Sequence, residues 1–421
     1  MTQNYQTLRI NGERLWQRMM RMAQIGATPK GGVCRVTLTE EDRIGRDLFI
    51  KWCREANCTI DIDQIGNIFA RRAGIENELP PVMAGSHLDS QPTGGKFDGA
   101  YGVLAALEII ETLNDHDIQT TAPLEIVSWT NEEGARFAPA MIGSGVFAGA
   151  FDLAYGLSRK DKNGPRSFEG ASCSLGDALQ KIGYVGDTPM GNRPIKAAFE
   201  LHIEQGPILE NEGKTIGIVT GVQGIRWYEL LIEGKETHAG PTPMHYRRDP
   251  VRGMLPILER IYELATQYAP HGRVTIGDIK TEPGVINTVP GRLTIQVDLR
   301  HPETAVLNAM HTALQEIVTE ECATAKLDSQ VKEIWYSPPV AFAPNCIEAV
   351  RQAVDTVGAS AMEIVSGAGH DAVYLARVAP TSMIFIPCED GLSHNELENA
   401  TKEDVIAGAN VLLHAVLAHA S

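Results

Sequence analysis

Apolar residues in YGVLAALEIIETL (101–113) recur at helical spacing, just after the short apolar run PPVMAGS (80–86). The same alternation of a brief apolar run and an amphipathic stretch continues along the chain. LEIVSWT (124–130) reads as a strand that stops at NEEG, and AAFELHI (197–203) and TSMIFIPC (381–388) read as two more. KEDVIAGANVLLHAVLAHA (402–420) reads as a closing amphipathic helix. Toward the N-terminus, helical patterns over about 11–24 and 39–56 precede a strand-like GNIFARRAG. Residues 156–195 are polar and glycine-rich and read as an excursion holding one helix, SLGDALQKIG. Strands alternating with helices predict an α/β domain with a mixed, mostly parallel sheet covered on both faces.

The middle of the chain has a different rhythm. IRWYELLIEG, PVRGMLPILERIYELATQYA, RVTIGDIK, RLTIQVDLR, ETAVLNAMHTALQEIVTEE and DSQVKEIWYS give the order strand, helix, strand, strand, helix, strand. That is the ferredoxin-like βαββαβ unit. In RLTIQVDLR, Leu293, Ile295, Val297 and Leu299 alternate with polar residues, so one face is buried and the other wet. The expected organisation is a catalytic domain in two parts, 1–216 and 334–421, with an inserted lid or dimerisation domain at 217–333.

Composition narrows the class. With 421 residues, 43% of them hydrophobic, the chain can bury more than one core. A net charge of −16 argues against nucleic acid or an anionic membrane as the main partner. No apolar run approaches a membrane span, and the N-terminal MTQNYQTLRINGERLWQRMM lacks the apolar stretch of a secretory leader. Seven cysteines without a CxxC pair read as reduced thiols, so a cytoplasmic location is expected.

The candidate chemistry centres on GSHLDSQPTGGKFDGAYG (85–102). It lacks the order of a phosphate-binding P-loop. Its His-x-Asp, taken alone, has an ordinary reading as a strand-end histidine beside a turn-capping aspartate. Its context changes the balance. Glu132–Glu133, His202 and His394 each follow or end another predicted strand, and in open α/β sheets ligands gather at the carboxyl ends of the strands. Three imidazoles and two carboxylates suit zinc or a similar divalent ion. Adjacent glutamates point apart in extended chain, so one can bind metal while the other acts as base. Asp89, two residues after His87, can accept that histidine's second N–H.

HLDS, KFDGAYG, TNEEGARF, ELHIEQGPILE, THAGPTPM, SGAGHDA and GLSHNE, in this order, resemble the amidase/hydantoinase/carbamoylase family of the dinuclear-zinc aminoacylase and carboxypeptidase clan. The resemblance covers essentially the whole chain. It implies two divalent ions per subunit, zinc first and manganese, cobalt or nickel as alternatives. His87, Asp98 and His202 would hold one ion, and Asp98, Glu133 and His394 the other. Glu132 would be the base, and a cis peptide is expected after Asp98. The resemblance further implies Gln205 as a contact to the substrate's ureido or carboxylate group and His238 as the oxyanion stabiliser, reaching a site across the lid or a dimer interface. Asn287 and Arg300 would grip the substrate carboxylate as a pair, and Gly369 would meet substrate through its backbone. His370 is left out of the metal set.

Read without the resemblance, Arg300 is a surface arginine on a polar strand face, and His238 and Asn287 are turn residues. The activity implied is hydrolysis of an N-carbamoyl-L-amino acid or N-carbamoyl-β-alanine, as in β-ureidopropionases. A small ureido acid is the expected partner, and a homodimer through the insert the expected assembly. Allantoate hydrolysis is the nearest alternative. A non-catalytic metal-binding homologue is the remoter one, which turnover with added metal separates.

Overall fold

The structure, a computed structural model, describes residues 5–162, 173–191 and 193–421. The stretch at 163–172 within the predicted excursion lies outside the described residues. The chain forms two compact units, residues 1–220 with 342–421, and residues 221–341.

The larger unit begins with α1 (Gly12–Met22) and α2 (Glu40–Glu55), whose first turns are capped by the Asn11 and Thr39 side chains. Strands β1 (Thr59–Ile62), β2 (Ile68–Arg72) and β3 (Val82–His87) lead to α3 (Ala100–Asp115), and β4 (Leu124–Trp129) follows. Short helices α4 (Ile142–Phe147) and α5 (Leu153–Leu157) come next, then α6 (Leu175–Ile182), started by a Ser174–Asp177 capping box. After β5 (Ala197–Ile203) and α7 (Ile208–Asn211), β6 (Ile216–Val222) runs to the boundary of the unit.

The smaller unit holds β7 (Gly224–Glu233), β8 (Thr237–His238), α8 (Pro250–Gln267), β9 (Arg273–Glu282), β10 (Thr288–Val289), β11 (Arg292–His301), α9 (Thr304–Ala325), β12 (Asp328–Ser337) and β13 (Val340–Ala341). Its main sheet has the order β12-β7-β11-β9, every pair antiparallel, which is the order of a ferredoxin-like unit. Leu293, Ile295, Val297 and Leu299 point into a core shared with α8 and α9, as their alternation predicts. Strand β12 runs on to Ser337, past the 333 expected for the insert.

The chain then returns to the larger unit with α10 (Pro344–Val357), β14 (Ala361–Ser366), α11 (Ala372–Leu375), β15 (Thr381–Ile386) and α12 (Lys402–Ala420). The large sheet has the order β1-β2-β4-β3-β5-β15-β6. Its four central strands, β4, β3, β5 and β15, are parallel, and antiparallel strands flank them. All four are buried along their whole length, because helices cover both faces. Val82 and Ala84 pack into the core that contains α3 and α12, whereas Met83 and Trp129 join a separate cluster on the other face. Helix α3 is apolar nearly all round and almost wholly buried, as expected of a helix between a sheet and other helices.

Among the described residues, which include all seven cysteines, there is no disulfide. Among the described residues no helix is long and apolar enough to cross a membrane.

Candidate active site

The four parallel strands are neighbours, so their carboxyl ends open onto one place. His87 closes β3 and His202 is the penultimate residue of β5. Glu132 and Glu133 follow β4, and His394 follows β15 after a short turn. Asp98 comes from the glycine-rich loop between β3 and α3.

Asp98 lies at the centre. Its Oδ1 is 3.5 Å from His87 Nε2 and 3.1 Å from His202 Nε2. Its Oδ2 is 3.4 Å from His394 Nε2, which is also 3.3 Å from Glu133 Oε2. One carboxylate thus shows each oxygen to a different set of imidazoles. His87–Asp98–His202 and Asp98–Glu133–His394 each bring donor atoms within 4.8 Å of one another. All of these are buried apart from His394, which is half exposed, and Glu133, which is partly so.

The imidazoles are oriented for this. His87 Nδ1 lies 2.9 Å from the Asp89 carbonyl and His202 Nδ1 2.9 Å from the Ile203 carbonyl. A carbonyl only accepts, so both Nδ1 atoms carry the proton and both Nε2 lone pairs turn toward Asp98. His202 Nε2 also accepts from the Gly99 N–H at 3.2 Å. Lone pairs converging on a buried carboxylate call for a cation among them, and this nitrogen and oxygen donor set fits a borderline divalent ion.

Asp89 supports the site differently from the sequence expectation. Its carbonyl, not its carboxylate, takes the His87 N–H; the nearest carboxylate oxygen is 3.7 Å away. The carboxylate instead accepts the backbone N–H groups of Glu132 and Glu133, at 3.3 and 3.4 Å. Asp89 therefore fixes the turn that carries both glutamates. Glu133 is held further by Gln91, whose N and Nε2 donate to its two oxygens at 3.0 and 2.7 Å.

Glu132 belongs to neither donor cluster and lies 3.5 Å from His87 Nε2. Burial pushes its carboxyl well above the usual range; His87 opposes the shift, and Asp371, Glu133 and Asp89 add to it. A carboxyl whose burial favours the protonated form suits a group that takes up a proton and gives it back. Burial also disfavours charge on Asp98, but when His202 and His87 take up a second proton on Nε2 their hydrogen bonds and charges outweigh it and hold Asp98 well below the usual range. Hydrogen bonding to Glu133 raises His394 to about 9.

The expected cis peptide is absent. The cis bonds are Ala138–Pro139, Ala269–Pro270 and Glu282–Pro283, so Asp98–Gly99 is trans. Gly99 turns the chain through a positive φ of 63° instead, and a Cβ there would lie 2.3 Å from the His87 ring.

Gln205 lies at the site, its Nε2 donating to Asp98 Oδ2 at 3.0 Å and to Ser393 Oγ at 3.1 Å. Gly369 precedes His370, whose buried ring packs edge-on against His202 with centroids 4.6 Å apart. His370, Gln91, Ser393 and Glu398 are contributors that the sequence reading did not place here.

His238, Asn287 and Arg300 belong to the smaller unit. His238 pairs with Thr288 across β8 and β10, and Ala239 N donates to the Asn287 carbonyl at 2.9 Å, so His238 and Asn287 are neighbours. Arg300 is not part of that group. The β8–β10 ribbon joins the Arg292 end of β11 through Gly234 N donating to the Gly291 carbonyl, whereas Arg300 lies eight residues along the strand. That is a rise of about 27 Å. Arg300 therefore lies toward the opposite end of β11 from the point where the ribbon carrying Asn287 joins. Arg300 is instead clasped by Asp298, with Nη2 to Oδ2 at 2.8 Å, and Asp298 also accepts from Trp227 Nε1.

The sequence profile of Peptidase family M20/M25/M40 matches residues 83–418, a span that takes in every donor at Asp98. The chain belongs to that family. An N-carbamoyl-L-amino-acid amidohydrolase of Rhizobium meliloti is 46% identical over 409 residues, 97% of this chain and 96% of that protein. An allantoate amidohydrolase of Bacillus subtilis is 34% identical over 93% of each chain. Among solved structures, an amidase of the hydantoinase/carbamoylase family from Burkholderia multivorans superposes with a TM-score of 0.93, at 55% identity, covering 98% of this chain and 99% of that one. Within the M20 family this chain is an amidohydrolase of the hydantoinase/carbamoylase kind, a hydrolase acting on amides.

Proposed function

We propose that this enzyme hydrolyses the carbamoyl C–N bond of an N-carbamoyl amino acid, releasing the amino acid, CO2 and ammonia. The observation that carries the reading is Asp98 with histidines on both oxygens, beside a buried Glu132 that is no donor to either cluster. His87, Asp98 and His202 would hold one divalent ion and Asp98, Glu133 and His394 a second. Zinc suits the donors best; manganese, cobalt and nickel are the alternatives. Bound there, the ions supply Lewis acidity toward water and the substrate carbonyl.

The chain's own groups do the rest. Glu132 takes the proton of the attacking water, and its burial lets it return that proton to the nitrogen of the departing amino acid. The carbamic acid left behind falls apart to CO2 and ammonia. Gln205, whose Nε2 donates to Asp98, would exchange a hydrogen bond with the ureido or carboxylate group. The smaller unit would contribute His238 to the oxyanion, Asn287 beside it, and Arg300 for the substrate carboxylate, a task that suits a guanidinium fork. Gly369 would meet substrate through its backbone. The distance between Arg300 and the His238–Asn287 pair supports a homodimer formed through this unit, in which the two groups serve one substrate from different subunits.

The test is a substrate panel of N-carbamoyl-β-alanine, several N-carbamoyl-L-α-amino acids and allantoate, each assayed with zinc, manganese, cobalt or nickel. Turnover of an N-carbamoyl amino acid is expected. Activity on allantoate alone would overturn the proposal in favour of the other ureide.

A further inference from the structure

We infer that Glu398 is a positioning residue: it fastens the loop carrying His394 to the loop carrying Asp98 and so sets the geometry of the Asp98–Glu133–His394 half of the centre. The inference rests on the two-ion reading above.

Four of the donors are steadied by hydrogen bonds of their own. His87 and His202 donate to carbonyls, Gln91 holds Glu133, and Gln205 and Ser393 hold Asp98. His394 differs, because its Nε2 faces the fellow donors Glu133 and Asp98 and not a partner outside the set. Its side chain is 52% exposed, and among the described residues its Nδ1 has no hydrogen bond. Its backbone has a φ of 53°, a conformation rare for a residue with a side chain. Where His394 points is therefore decided by how its loop is anchored.

Glu398 provides that anchor. It is 1% exposed. Its Oε1 accepts the backbone N–H groups of Phe97 and Asp98 at 2.9 and 3.1 Å. Its Oε2 is 3.1 Å from the hydroxyl of Ser393, the residue before His394, and that hydroxyl is 3.2 Å from Asp98 Oδ2. One buried carboxylate thus ties together two loops that lie about 300 residues apart in the chain. Gly95 makes room for it: a Cβ at Gly95 would lie 2.0 Å from the Glu398 carboxyl carbon, and Gly95 is not among the residues of positive φ. The glycine is needed there for space, not for its backbone angles.

The experiment is a calorimetric titration of the metal-stripped full-length protein with Zn2+, paired with metal analysis, for wild type, E398A, E398Q, G95A and the double variant G95A/E398A. Wild type should take up two ions. E398A should weaken the site that includes His394 about 10–100-fold, the usual effect of losing a partner outside the ligand set, and weaken the other, which shares Asp98, clearly less. E398Q should recover much of that loss, since its carbonyl oxygen still accepts from Phe97 and Asp98 and its amide can donate to Ser393. G95A removes no hydrogen-bonding atom but displaces the Glu398 carboxylate, so it should weaken the same site. The double variant should be no worse than E398A, because both changes act through one contact. If E398A does not fold, G95A and E398Q carry the test. Two ions bound by wild type, with both sites weakened equally or neither weakened in folded variants, would overturn the inference alone. Fewer than two ions on wild type would overturn the two-ion reading and the inference with it.

Discussion

At the scale of single residues, the site separates groups that hold charge from one that moves it. Glu132 is close to His87 yet outside both donor clusters, and its burial favours the protonated form. Glu132→Gln keeps the shape and removes the proton-accepting oxygen. Turnover should fall about 10²–10⁴-fold, the range for loss of a general base, while metal content stays at the wild-type level. Near wild-type turnover in a metal-loaded variant would remove Glu132 from the reaction. The residues legible in the sequence were those whose types are rare in combination: His87, Asp98, Glu133, His202 and His394 at predicted strand ends. Gln91, Ser393 and Glu398 were not legible, because each acts through a loop far away in the chain and leaves no local pattern. Asp89 was found for its carboxylate but steadies His87 with its carbonyl, an atom every residue has.

At the scale of elements, the loop from β3 to α3 must bring His87 and Asp98 together within eleven residues. Gly99 makes that possible through its positive φ and by letting the His87 ring pack directly on its Cα. Gly99→Ala would add backbone strain of about 1–3 kcal/mol and push against the ring. The expected result is loss of metal from the His87–His202 half with an unchanged far-UV circular dichroism spectrum; a G99A protein with full metal content would refute this account of the loop.

The parallel strands, α3 and the βαββαβ unit were legible because their apolar residues are large and follow a strict period. Helix α10 and strand β14 were not assigned. The buried face of α10 mixes Cys346, Ala349 and Ala353 with two valines, and β14 is only partly buried, so the apolar contrast is weak in both. Strand β6 was missed for a related reason: IGIVTGV carries glycines within a run that leads straight into β7.

At the scale of the molecule, the donors together with buried acids at and away from the site make stability depend on pH and metal together. Burial raises Asp63 to about 6, Asp89 to about 7 and Glu398 to about 7, and hydrogen bonding to Glu133 raises His394 to about 9. A group whose folded value is raised stabilises the fold fully below its unfolded value, and that contribution is lost as pH climbs through the folded value. For the three carboxyls the loss falls between about pH 4 and pH 7, and for His394 between about 6.5 and 9. Asp98 works in the opposite sense, since its depressed value adds stability that disappears only in strong acid. The metal-free protein should therefore lose stability from these groups as pH rises from mildly acid to mildly alkaline. Over the same window the ligands shed the protons that compete with a cation, so metal binding strengthens. The gap in melting temperature between zinc-loaded and chelator-stripped protein should widen steadily from pH 5.5 to pH 8.5. His394→Gln should flatten the upper part of that rise, since it removes the group titrating near 9. A gap of constant size across this range would show that the acids around Asp98 are not what the cation offsets.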